Sequence, residues 1–389
     1  MISKKELELY FHIPFCVRKC LYCDFLSAPA DDETKAQYMD ALIRETRERA
    51  GDYRDYRVVS VFVGGGTPST VPENLLENLL EAVGEGFELA ETAEITVEVN
   101  PGTVDRGKLR RYRQAGVNRL SIGLQSADDE ELSAIGRIHT YGQFLETYYA
   151  ARECGFSNIN VDLMSALPGQ TLGSYLGTLE KVLALKPAPE HISAYSLIVE
   201  EGTPFYEMEQ KGILRIPDEE CDRLMYAKTE ELLGKEGYHR YEISNYAKPG
   251  YECRHNCGYW RRREYLGLGI GAASLIENRR FRNGDSLKAY LAHPTGVREG
   301  LQELTVEERM EEFMFLGLRM TEGVSVSAFQ ALFGESMEKI YGNVIKKNLE
   351  DGLLEYRETD KWTETGGRRL ALTKRGIDVS NMVMAEFLL

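Results

Sequence analysis

The chain has 389 residues, a formal net charge of −15 at pH 7, 43% hydrophobic residues and seven cysteines. Such a length holds two or three domains, and the acidity argues against general nucleic-acid binding or adsorption to anionic lipid. No stretch approaches a membrane span, the start Met1-Ile-Ser-Lys-Lys-Glu6 lacks an apolar leader core, and an odd cysteine count with three clustered suits a reducing cytoplasm.

The first predicted strand, Glu8–Ile13, is stopped by Pro14, and the run Cys16-Val-Arg-Lys-Cys20-Leu-Tyr-Cys23 follows at once. Three thiols on one loop can wrap an iron–sulfur cube and leave its fourth iron open for a small ligand. A zinc site wants four ligands, and the next cysteine is Cys154. Further strands are predicted at Val58–Val63, Glu94–Val99, Arg119–Leu124, Asn158–Leu163 and His191–Leu197. Helical patterns lie between them. Thr34–Ala50 lines up Tyr38, Met39, Leu42 and Ile43, and a later one lines up Leu172, Tyr175, Leu176, Leu179, Val182 and Leu183.

That alternation predicts an α/β fold with a parallel sheet, a partial (β/α)6 barrel, whose ligands gather at the C-terminal strand ends. The polar signals fall there. Gly64-Gly-Gly-Thr-Pro-Ser69 follows the second strand, Glu98-Val-Asn-Pro101 ends the third, Gly123-Leu-Gln-Ser126 ends the fourth, and Asp162 through Gly169 ends the fifth. Each taken singly reads equally well as a turn or a helix cap; a shared ligand accounts for the set.

With Tyr10-Phe-His-Ile-Pro-Phe-Cys16 and Phe62-Val-Gly-Gly-Gly-Thr-Pro68, these segments make the chain resemble the HemN/HemW branch of the radical S-adenosylmethionine (SAM) superfamily from end to end. The resemblance implies a 4Fe–4S cluster on Cys16, Cys20 and Cys23, and SAM bound on its open iron and cleaved to a carbon radical. It places Tyr10, Tyr22, Gly65, Gly66, Thr67, Glu98, Gln125, Arg137, Asp162 and Ala273 at the SAM positions. Ala273 departs from the histidine common there, and Arg137 also reads as a solvated helix arginine.

Within the branch, the dehydrogenases of coproporphyrinogen III usually carry a cysteine where Phe25 stands, and an N-terminal extension for which Tyr10 leaves no room. Arg254-His-Asn-Cys-Gly-Tyr-Trp260 resembles the HNxxYW motif of the HemW-type haem chaperones. A neutral imidazole is a good axial ligand, so the resemblance assigns haem to His255, Asn256, Tyr259 and Trp260, with arginines at 261–263, 279, 280 and 282 for its propionates. Against this stands a plain reading of a satisfied surface or core histidine beside a solvated basic strip. Cys253 and Cys257 could also ligate haem or a metal.

Beyond a Gly-rich connection at 265–283, Thr305-Val-Glu-Glu308 predicts a capping box. Helices at Val324–Phe333 and Met337–Gly352 follow, with a β-wing at Leu353–Tyr356 and Arg369–Thr373. Acidic residues dilute this winged-helix pattern, which suits a covering module; the resemblance has it closing over the barrel mouth. The expected division is 1–240 for the barrel, 241–300 for the motif and connection, and 301–389 for the C-terminal domain. The function so implied is haem delivery to acceptors such as respiratory enzymes, with cluster and SAM as cofactors, haem as cargo and a homodimer as one form. Its place is the cytoplasm, or the membrane periphery through a partner. The alternative is a coproporphyrinogen III dehydrogenase or another tetrapyrrole-modifying enzyme, and the sequence leaves catalysis undecided.

Overall fold

Strand–helix alternation builds a single twelve-stranded sheet. The computed structural model describes residues 4–359 and 367–389. Its centre is six parallel strands in sequence order: β1 (Lys5–Ile13), β2 (Tyr56–Gly65), β3 (Leu89–Val99), β4 (Arg119–Gln125), β5 (Ile159–Ser165) and β6 (His191–Ser196). This is the expected partial barrel. The segment at 241–300 does more than connect, because its strands extend both sheet edges. At one edge β8 (Asn245–Ala247) pairs antiparallel with β6 and with β7 (His239–Arg240). At the other, β9 (Tyr265–Leu268) runs parallel to β1, and β10 (Ala273–Ile276), β11 (Arg279–Asn283) and β12 (Arg298–Glu303) continue antiparallel.

Alternation along β1 decides what faces the barrel interior. Leu7, Leu9, Phe11 and Ile13 are buried in the core with Tyr38, Met39 and Leu42 of the Asp32–Ala50 helix. Each such side chain stabilises the fold by about 2 kcal/mol. That helix begins where the Asp31 carboxylate accepts from Thr34 N at 2.8 Å. Glu8, Tyr10 and His12 occupy the opposite face and point inward, as do Ser60 and Phe62 on β2 and Glu94, Thr96 and Glu98 on β3.

The C-terminal segment has its own sheet, in the order β13 (Val324–Ser325), β15 (Gly367–Leu372), β14 (Leu354–Thr359). Its own core includes Met314, Phe329, Tyr341, Leu370 and Phe387. The Thr305–Glu308 capping box forms as expected at the head of the Val306–Gly317 helix. Its docking differs from expectation. Thr321 N donates to Tyr241 O at 2.9 Å, and Glu312 takes Arg262 and Arg280, each at 2.7 Å. Among the described residues no hydrogen bond or ion pair joins 304–389 to the cysteine loop. The module therefore sits against the N-terminal base of the barrel, drawn by Trp260 and the adjacent arginines, rather than over the mouth.

Candidate cofactor site and motif helix

The two ends of the barrel hold the residues singled out by sequence. At the C-terminal mouth, β1 ends and the chain turns through Cys16, Cys20 and Cys23, all half-buried and none in a disulfide. Thr67 Oγ1 lies 3.5 Å from Cys16 Sγ, and Arg137 Nη1 lies 3.7 Å from Cys20 Sγ, so two of the three sulfurs have a hydrogen-bond donor beside them. Asn100 ties these donors together: its Nδ2 donates to Thr67 Oγ1 at 2.8 Å and its Oδ1 accepts from Arg137 Nη2 at 3.0 Å. Arg137 Nη2 also reaches Gly123 O at 2.6 Å, so this arginine is tied into the barrel mouth and is not a solvated one.

The glycine run works by close approach. Gly65 has φ +111, and a Cβ there would lie 2.6 Å from the His12 ring. Its N–H donates to Glu98 Oε2 at 3.1 Å. Burial, and then the neighbouring Asp162, push the Glu98 carboxyl up to about 8. Asp162 is itself raised by burial, though Asn160 Nδ2 at 2.7 Å and Ser121 Oγ at 3.3 Å donate to it. Burial pushes the Tyr22 phenol up to about 12, against the pull of Arg137. Gln125 holds φ 70 at the strand end. Tyr10 OH meets His12 Nδ1 at 3.1 Å, and His12 Nε2 meets Leu26 O at 2.8 Å. Ala273 is exposed, on the strand beyond Gly267, the β1 partner of Tyr10.

These residues fit a 4Fe–4S cluster and SAM. Glu98, Arg137 and Asp162 are ringed by protein yet keep surface open to the barrel interior. Gln125 Oε1 and Arg137 Nε are buried without a partner, as groups awaiting a polar ligand are. No three His, Cys, Asp or Glu side chains among the described residues converge on a single-ion site. A cube takes one thiolate per corner and needs no such convergence.

At the N-terminal base, the Arg254–Trp260 helix plugs the barrel. His255 is 2% exposed, with Nδ1 2.8 Å from Ser60 Oγ and Nε2 3.1 Å from Tyr259 OH. Its ring stacks on Phe62 with centroids 5.1 Å apart. Burial, and then Arg119 and Arg263, lower its pKa to about 3, so the imidazole is neutral. The i, i+4 spacing splits the motif: His255 and Tyr259 face the barrel, whereas Trp260 packs outward against Met320 and under Arg319, 4.3 Å from its ring centroid. Asn256 is half-buried on the Trp260 side by the same spacing. The imidazole that sequence offered as an axial ligand is thus turned inward with both nitrogens engaged, as the plain reading of a satisfied histidine has it. Cys253 and Cys257 are buried, and burial raises both thiols, Cys257 to about 12, so both stay protonated.

Two residues decide this packing and escape a reading of the sequence alone. Glu8 is fully buried, paired with Arg263 Nη1 at 3.0 Å, and its carboxyl rises to about 8 through burial. Gly258 lets the helix lie on it, since a Cβ would collide with that carboxyl. Asn100 was visible inside the Glu98–Pro101 segment, but nothing local marked it as the link between Thr67 and Arg137. The arginines scatter: Arg263 goes to Glu6 and Glu8, Arg279 to Glu277, and Arg282 to Asp285 and Glu299.

Residues 10–182 match the radical SAM superfamily, and residues 304–379 match the HemN C-terminal domain. The chain is 37% identical to the heme chaperone HemW of Lactococcus lactis, over 99% of this chain and 98% of that protein. This chain belongs to the HemW family. The Escherichia coli HemW is 34% identical over 96% of this chain and 97% of its own length, so the HemW likeness holds across distant bacteria. In fold, coproporphyrinogen III oxidase HemN from Escherichia coli, a radical SAM enzyme, matches with a TM-score of 0.84 at 22% identity, over 99% of this chain and 91% of that one. A 4Fe–4S cluster and SAM are the cofactors of the superfamily, and no helix among the described residues is long and apolar enough to cross a membrane.

Proposed function

We propose that this chain is a haem chaperone in which the mouth of the barrel holds the cofactors and the motif helix at the base holds the cargo. Full-length likeness to HemW proteins carries the reading, and the separation of the two ends supports it. Cys16, Cys20 and Cys23 hold the cluster. Gly65, Gly66, Thr67, Glu98, Gln125, Arg137 and Asp162 line the SAM position, with Tyr10 and Tyr22 as its aromatic walls and Ala273 at its rim. Once bound, the cluster supplies an electron and SAM a cleavable sulfonium. The protein's own part is to orient SAM's carboxylate by Arg137 and its amine by Glu98.

Haem belongs to the helix carrying His255, Asn256, Tyr259 and Trp260. A state in which His255 ligates the iron gives up the bonds to Ser60 and Tyr259, so loading through that residue requires the helix to move. The same reading divides the chain into 1–240 for the cofactors, 241–300 for the motif and 301–389 for docking. It makes the recipient an acceptor protein, such as a respiratory enzyme, with a homodimer as one form. Exposed Val17, Phe25 and Ile138 around the mouth give such partners an apolar surface. The setting is cytoplasmic, peripheral to the membrane where a partner holds it there.

A tetrapyrrole-modifying enzyme is the second reading, favoured by the complete set of SAM positions. The test is anaerobic cluster reconstitution, then coproporphyrinogen III with SAM and dithionite, alongside haem titration. A chaperone yields no protoporphyrinogen and binds haem stoichiometrically; protoporphyrinogen formation would overturn the proposal.

A further inference from the structure

A cleft of about 470 Å³ opens where the outer face of the motif helix meets the C-terminal module. Pockets of about 300–1,000 Å³ suit a single organic ligand. Its apolar walls include Trp260, Phe313, Met320, Val324 and Ala328. The Trp260 indole Nε1–H is buried without a partner, in a side chain whose ring is already capped by Arg319.

Charge at the rim points the same way. Arg262 lines the cleft, and it shares the Glu312 carboxylate with Arg280, so one carboxylate faces two guanidiniums. Arg261, also lining, pairs with Glu322 at 3.0 Å in a contact half-exposed on the arginine side. Such an exposed pair is worth little and can exchange partners. The cleft thus offers apolar walls, one guanidinium in excess and one exchangeable.

We infer that this cleft, between Trp260 and the C-terminal module, seats the macrocycle of a dicarboxylate tetrapyrrole, with its carboxylates on Arg261 and Arg262. The inference rests on the haem-chaperone reading and deepens it, since it locates the cargo on the outward face of the motif helix and assigns a binding role to the C-terminal module. It also sorts the basic strip: Arg261 and Arg262 bind, whereas Arg263, Arg279 and Arg282 serve the fold.

The test is haemin titration of the full-length protein, followed by the Soret band. Ala331, exposed on the Val326–Phe333 helix, lines the cleft, so Ala331→Trp fills it without touching the core. Haemin affinity should fall at least tenfold with an unchanged melting temperature. Ser327→Trp, at another exposed lining position, should do the same and guards against a folding artefact in the first variant. Haemin dimethyl ester should bind the native protein at least tenfold more weakly than haemin, and that difference should shrink in Arg262→Gln. Unchanged haemin affinity in both filled variants overturns the cleft while leaving the chaperone reading intact. Native protein that binds no haemin overturns the chaperone reading, and this inference with it.

Discussion

The mouth and the base of the barrel are both lined with buried polar groups, yet they treat them differently. At the base, His255 has a partner for each ring nitrogen, and Glu8 is clamped by Arg263. At the mouth, Gln125 and Arg137 keep polar atoms unpartnered, and the Glu98 carboxyl rises in a half-open space. Unpartnered atoms occur at the base too, Glu8 Oε2 and Trp260 Nε1 among them, so the difference lies in space: the base is packed around His255, whereas the polar groups of the mouth keep surface open for a ligand. The contrast explains how one barrel can carry a cofactor site and a cargo motif without merging them.

The sharpest way to break this contrast is to remove thiols at each end. Serine at Cys16, Cys20 or Cys23 should abolish the cluster, measured as iron and acid-labile sulfide per chain. Serine at Cys253 or Cys257, buried and protonated, should leave it intact. Next in size is the plug. Gly258→Ala drives a methyl into the Glu8 carboxyl and should cost about 1–3 kcal/mol. His255→Ala, which leaves Ser60 and Tyr259 without their partner, should cost about 2–4 kcal/mol. Urea denaturation checks both, and neither change should alter SAM affinity.

At the mouth the ranking reverses. Gly66→Ala, whose Cβ would lie 2.7 Å from Phe15 O, should lower cluster occupancy more than stability. The mouth also sets a pH dependence. Folded Glu98 holds its proton to about 8, whereas the unfolded chain releases it near 4.5. The folded state therefore binds more protons across that window, and the stability of the cofactor-free protein falls as pH rises through it. Glu98→Gln should flatten the profile, and Glu8, raised in the same way, accounts for part of the remaining slope. SAM affinity should rise toward pH 8, because its ammonium selects the ionised carboxylate.

Much of the mouth was legible because its signals are local. Pro14 ends a strand, three cysteines follow, and glycines or acids mark the ends of the second to fifth strands. The base was not. A seven-residue helix is too short to reveal by periodicity which face turns inward, so His255 and Trp260 could not be told apart. The partners that decide it, Ser60, Glu8 and Met320, are distant in sequence. The strands of two to six residues that extend the sheet edges, β7, β8 and β12, carry too little pattern to detect, and the docking of 304–389 follows from ion pairs that only the fold brings together.

The most direct test of the two-ended account is to titrate SAM and haemin separately into native protein and Glu98→Gln. The account predicts at least tenfold weaker SAM binding in the variant with haemin affinity unchanged. Haemin affinity that falls together with SAM affinity would contradict it, placing both ligands in one site at the mouth.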